Sequence, residues 1–402
     1  MIGGQASPAD RLARLAGAAR DELYRIIPFW LGLRDPEGGG FAGEADSHGR
    51  PLWSADKGAV LQTRILWFFS KAYLEFADPR LLDAAWQAYR FIAAHLVDPD
   101  DDGVFWTVSA LGAPADTRKH LYAQAFAIYA LAAFYQASGE PGALGLAQQL
   151  WSTVERHAAD PDHPGYFESF SADWHAQPNG LMGRAEAPKS FNAHFHLLEA
   201  YGALWQVWPD PDLRRRLEML IALLTGPMLD RRWNTFRQVF EADGRPLDDG
   251  GSFGHDIEAS WLIPAIADRL SPATAAAAGA AVSGVAEAVL DRALEPGGGV
   301  VAGFDSIGGL GHGKIWWVQA EALVGFLDAF ERRGDRRFLD AAERVWGFID
   351  RSLIDQADGE WRWRIDPGGE TPTMPKAHLW KCPYHNGRAL MEVLERAKRW
   401  SD

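Results

Sequence analysis

Apolar residues recur at helical spacing in twelve stretches of this chain, and a short aromatic turn breaks the pattern after every odd-numbered stretch. The spacing predicts helices over 8–32, 55–78, 79–97, 118–138, 141–158, 188–208, 210–230, 254–270, 272–294, 312–333, 335–354 and 378–400. Asp78-Pro79 and Asp210-Pro211 each set a capping acid beside a proline suited to a first helical turn. The turns lead with Gly39-Gly40-Phe41, Gly103-Val104-Phe105, Gly165-Tyr166-Phe167, Asn234-Thr235-Phe236, Gly299-Val300-Val301 and Gly359-Glu360-Trp361. Most run on into an Asp/Gly-rich turn such as Asp46-Ser47-His48-Gly49. They recur roughly every 60 to 70 residues, which marks one unit copied and stacked.

Each unit holds two helices and one hairpin-like excursion. Even-numbered helices such as Ala123 to Tyr135 are apolar nearly all round, whereas odd-numbered ones carry more Arg, Asp and Gln. A helix apolar on all sides is buried, and an amphipathic helix covers it. The pattern therefore predicts an all-α fold: a single-domain (α/α)6 barrel over 1–402, with six inner and six outer helices and short β-hairpin excursions. The alternative is an open solenoid, but six units without polar capping repeats favour closure. A closed ring has one central cavity.

Composition narrows the function. The formal charge is −14 and no basic block exists, which excludes nucleic acid and anionic membrane as partners. Cys382 is the single cysteine, so no internal disulfide forms, as suits a reducing compartment. Met1 to Ala13 has no apolar signal-peptide core, and no uninterrupted apolar run reaches membrane-spanning length. The expectation is a cytoplasmic protein, monomeric or weakly dimeric. Eighteen Trp residues suit helix packing, and a few suit stacking on sugar C–H faces.

Out-of-place polar residues cluster at the starts of the even-numbered helices, which a barrel would aim at one mouth. Arg64 interrupts an apolar run and needs either a salt-bridge partner or ligand oxygens. Tyr122 and Gln124 are candidates for substrate contact, with packing and capping as the other use. Asn192 and His196 share a helix face, while His194 points elsewhere. His194 and His196 diverge by about 200° around a helix, so they form no metal pair. His255 and Glu258 lie together at i, i+3, where a carboxylate would orient the imidazole. His385 sits at the start of the last helix, and ring closure would let it approach the axis from another side than His255. Two such histidines suit proton removal from one face of a carbon and return to the other. Trp316-Trp317 offers one ring to a ligand and one to packing. No nucleophile elbow or phosphate loop is present. A glycosidase reading needs two opposed carboxylates, for which Glu168, Glu186 and Glu258 are available.

These motifs together resemble the N-acylglucosamine 2-epimerase superfamily, most closely the cellobiose 2-epimerases. The resemblance runs from Ile27-Pro28-Phe29-Trp30 and Gln62 to Trp67, through Lys189 to Ala200 and Gly254 to Trp261. It continues through Trp316 to Glu321 and Trp380 to Asn386. It implies an (α/α)6 barrel and C2 epimerisation of a sugar with no cofactor and no metal. It implies that His255 and His385 are the acid/base pair, tuned at His255 by Glu258. His196 and Asn192 would assist ring opening, Arg64 would bind enediolate oxygens, and Trp316 and Trp380 would contact sugar faces. Mannose isomerases and monosaccharide 2-epimerases share these features and remain alternatives. One departure stands out: Cys382 replaces a glycine of the family pattern, which implies a narrower site beside His385.

Overall fold

The computed structural model describes residues 6–179, 186–247, 250–305, 309–311 and 313–400. Residue 312, where the spacing begins the tenth helix, lies outside them. The helices are α1 (Pro8–Leu31), α2 (Ala59–Phe76), α3 (Pro79–Phe91), α4 (Leu121–Ser138), α5 (Pro141–His157), α6 (Phe191–Val207), α7 (Pro211–Thr225), α8 (Phe253–Ala267), α9 (Pro272–Val282), α10 (Val285–Ala293), α11 (Trp316–Arg333), α12 (Arg336–Phe348) and α13 (Tyr384–Arg399). Asp78 and Asp210 cap α3 and α7 as their positions predict.

The stretch 272–294 is not the one helix the pattern predicts. It breaks at Ser283-Gly284 into α9 and α10, both packed on α8. By length and apolarity alone Pro272–Ala293 could cross a membrane, but here it is a broken outer layer of the barrel. Two other outer helices end in a π-helical turn, Ile92–Leu96 and Ile349–Leu353.

Helices α2, α4, α6, α8, α11 and α13 pack side by side in that order, and α13 returns to α2. The ring is closed. The outer helices each cover an inner one, and α1 closes over α13. The fold is an (α/α)6 barrel.

Two sixfold devices hold the units together at one mouth. Residues just before an inner helix pair antiparallel with the hairpin of the next unit, as Lys119-His120 does with Ser169-Phe170. The last seam is the bridge between Ala377 and Ala45, which ties the sixth unit to the first. Second, one polar side chain on each inner helix secures the turn that leads its unit. Gln62 grips both backbone groups of Phe41, accepting at 3.0 Å and donating at 2.9 Å. Gln124 does the same to Val104, and Gln319 to Val300. His194 Nε2 accepts from Tyr166 N at 2.8 Å, and Asp256 Oδ1 accepts from Phe236 N at 2.7 Å. Asn386 works through Glu360, whose Oε1 takes both the Asn386 amide and Trp361 N. Buried backbone groups need partners, and these side chains supply them where no helix or sheet can. Gly165 shows how tight the fit is: its φ is +107°, and a Cβ there would stand 2.6 Å from His194 Nε2.

Candidate active site

The inner helix starts surround a cavity of about 330 Å³ at the mouth stitched by the hairpins. That lies in the range of small-molecule sites. A larger cavity, about 470 Å³, opens at the other end of the ring, where charged side chains pair with one another, as Arg332 does with Asp268. Most of the candidate site residues line the smaller one.

Three histidines line it: His196, His255 and His385. Each has its Nδ1 committed to a partner. His196 Nδ1 is 3.0 Å from Glu199 Oε2, His385 Nδ1 is 2.7 Å from Glu321 Oε1, and His255 Nδ1 is 2.8 Å from Gln238 Oε1. That leaves Nε2 of each ring for the cavity. Burial disfavours the imidazolium form. It holds His196 at about 4, against the pull of Glu199, and His255 at about 3, with His196 adding to the effect. Burial and then the Arg64 and Arg388 cations hold His385 well below its ordinary value. All three are neutral near pH 7.

The pairing expected between His255 and Glu258 is not formed. Glu258 lines the cavity, but its Oε1 bonds Arg388 Nη2. Burial raises its carboxyl well above the usual range, and neighbouring Glu321 adds to that. The i, i+3 spacing puts the two side chains on one helix face, yet a guanidinium outcompetes a neutral imidazole for the carboxyl group.

Arg388 organises the floor. It bonds Glu199, Glu258 and, at 2.7 Å, Glu321. Tyr384 donates to Glu199 at 2.6 Å. Burial opposes ionisation of Glu199, but Arg388 and His196 outweigh it and hold the carboxyl at about 2. Burial pushes Glu321 up to about 7. Among the described residues, Glu258, Glu321 and His385 are the one group whose ligand atoms converge as a metal would need. Arg388 already supplies the cation there.

Among the described residues Arg64 has no carboxylate partner. Its Nη2 donates to Tyr122 Oη at 2.6 Å, and its guanidinium lies 4.1 Å from the Phe126 ring centre. Its Nε is buried without a hydrogen bond. A buried cation left open toward a cavity is suited to an anionic or oxygen-rich ligand. Asn192 also lines the cavity, and its Oδ1 has no protein partner.

Cys382 does not narrow the site. It is fully buried, outside the cavity lining, with Sγ 3.8 Å from Arg64 Nη1. It backs the guanidinium.

Trp316 and Trp380 line the cavity as placed from the sequence; Trp317 lines it as well, so both rings of the Trp316-Trp317 pair border the cavity, as does Trp363, which the sequence did not single out. Trp363 packs on Trp316 with ring centres 4.3 Å apart and the planes tilted by 38°. Tyr122 is in the lining, but Gln124 is not. Gln124 is spent on the backbone of Val104, so its expected substrate contact is corrected to a structural one.

Residues 39–389 match the family model described as N-acylglucosamine 2-epimerase (GlcNAc 2-epimerase). The chain belongs to the N-acylglucosamine 2-epimerase family. Like the family it is an isomerase acting on carbohydrate. It is 38% identical to a cellobiose 2-epimerase of Ruminococcus albus, over 94% of this chain and 97% of that protein. It is 36% identical to the cellobiose 2-epimerase of Dictyoglomus turgidum, over 92% and 96%. A crystal structure of a sugar epimerase from a ruminal bacterium superposes with a TM-score of 0.92 at 36% identity, covering 95% of this chain and 98% of that one.

Proposed function

We propose that this epimerase inverts C2 of the reducing-end glucose or mannose unit of a β-1,4-linked disaccharide such as cellobiose. The observation that carries the reading is a pair of histidines, His255 and His385, each held through Nδ1, in one aromatic cavity with the Arg64 cation. The relatives' names support the disaccharide.

A proton next to an aldehyde is removable only once the sugar ring is open. His196, its Nδ1 held by Glu199, moves the proton between O1 and the ring oxygen, and Asn192 holds the open chain. One of His255 and His385 then takes the C2 proton through Nε2. The electron pair flows onto O1 and forms a cis-enediolate. Arg64 stabilises the developing negative charge, a preorganised contribution that costs no rearrangement during reaction. The first histidine releases that proton to solvent, the other takes one from solvent on Nε2, and it delivers this proton to the opposite face of C2. Reclosure gives the epimer. Of the three carboxylates available to a glycosidase, only Glu258 lines the cavity, and it is bound to Arg388. A hydrolase would need two opposed ones.

The test is incubation in deuterated water with cellobiose, mannose, glucose and N-acetylglucosamine in parallel, read by proton NMR. Deuterium at C2 of both epimers of the disaccharide is expected, with the glycosidic bond intact. Interconversion of mannose and fructose alone would replace this reading with a mannose isomerase. Release of glucose from cellobiose would replace it with a hydrolase.

A further inference from the structure

The three cavity histidines are not held alike. His196 and His385 lean on carboxylates, whereas His255 leans on a neutral amide, Gln238. Gln238 sits in the excursion of the fourth unit, 17 residues before His255, between Thr235–Phe236 and Val239–Phe240. Its backbone carbonyl accepts from Phe191 N at 2.9 Å, which fixes the chain there. Its side-chain Nε2 donates to the Phe236 carbonyl at 2.6 Å. Phe236 is itself anchored, because its N–H donates to Asp256 on α8.

Hydrogen-bond chemistry then sets the orientation of each group. A carbonyl oxygen only accepts, so the amide nitrogen of Gln238 must face Phe236. Its Oε1 must therefore face His255, and an amide oxygen also only accepts. So Nδ1 of His255 carries the hydrogen. The lone pair is on Nε2, the nitrogen left for the cavity. The charged and titratable groups that share the cavity with His255 are Arg64 on α2, Tyr122 on α4, His196 on α6, His385 on α13 and Glu258 on its own helix. Phe191 and Trp317 present rings. None of these groups bonds Nδ1 of His255 as Glu321 bonds Nδ1 of His385.

We propose that Gln238 is a positioning residue of the epimerisation: it locks His255 in the Nδ1–H tautomer and, being uncharged, keeps that histidine proton-free between turnovers. The two acid/base groups are then oriented by different partners, an amide for His255 and a carboxyl group for His385. His255 then meets the sugar with the lone pair of Nε2 free to act as a base. This rests on the proposed role of His255 and adds an orienter to it.

Three measurements decide it. In the intact wild-type protein, ¹⁵N NMR of the histidines should show His255 protonated on Nδ1 and free on Nε2 near pH 7. The opposite tautomer overturns the proposal without any variant. Gln238→Glu keeps the shape and adds the carboxylate that His255 lacks. It should raise the acidic limb of the kcat/KM profile by about one pH unit or more, with activity retained above it. Gln238→Leu should lower kcat about 10- to 100-fold while KM changes little, because the ring loses its orientation rather than the sugar its contacts. A wild-type pH profile in Gln238→Glu, or wild-type kcat in Gln238→Leu, overturns the role of Gln238. His255→Ala serves as the control. If that variant stays active, the acid/base reading itself fails, whatever the Gln238 variants do.

Discussion

Trp317 touches both His255 and His385. Its ring centre lies 5.2 Å from the first imidazole and 5.4 Å from the second, tilted 37° and 40° to them. The indole is a rigid spacer between the two groups. It sets their separation and offers no group through which they could exchange a proton directly. Trp317→Ala should lower kcat about 100-fold with the fold retained, since a displacement of about 1 Å in a reacting group has that scale of cost. Trp317→Phe should recover part of it. Steady-state kinetics beside circular dichroism checks both, and an unimpaired alanine variant would contradict the spacer role.

His255→Ala and His385→Ala should each abolish C2 epimerisation while the proteins stay folded. A general acid or base contributes about 10² to 10⁴ in rate. A purified variant that keeps most of the wild-type turnover would remove that histidine from the mechanism.

Activity should survive exhaustive chelation. The one convergence of ligand atoms among the described residues is Glu258, Glu321 and His385, and Arg388 already binds both carboxylates. Loss of turnover on chelation, restored by one divalent ion, would contradict this. The same geometry makes Arg388→Met costly, by about 3 to 5 kcal/mol, because it strands buried carboxylates. Urea unfolding measures that loss.

His194 should make the fold acid-sensitive. Burial holds its folded-state pKa at about 4, below the ordinary 6.5. The unfolded chain therefore binds the extra proton first as pH falls. The contribution is fully present above pH 6.5 and is lost between there and about pH 4, amounting to roughly 3 kcal/mol. Gln62, Gln124 and Gln319 do the same work without titrating. His194→Gln should thus fold normally and flatten the stability-against-pH curve over that window. An unchanged slope would mean that His194 is not the titrating group.

The barrel was legible because inner helices such as α4 are apolar on every side and the leading turns repeat. Helix starts fell a few residues early, at 118 rather than Leu121, because residues such as Lys119-His120 pair as strands before the helix begins. The break at Ser283-Gly284 hides in an alanine-rich run whose periodicity continues across it. Gln124 was misread although the signal was present. Gln62, Gln124 and Gln319 occupy one register of the repeat, and a residue repeated around the ring serves the ring rather than one substrate. Gln238 and Arg388 left no such trace. Gln238 reaches His255 across a hairpin, and the Arg388 partners come from three other helices, so only the closed fold brings them together.

The packing of α13 between α2 and α11, with α1 over its outer side, has a consequence for biosynthesis. Trp30 Nε1 and Trp361 Nε1 reach across the seam to Glu360 and Glu22. A nascent chain can stack its first five units as they leave the ribosome. It cannot shut the circle, or acquire His385, until the final inner helix has emerged. The apolar flanks of α2 and α11 wait uncovered until then. Ring closure therefore waits for α13, and the same step brings His385 into the cavity.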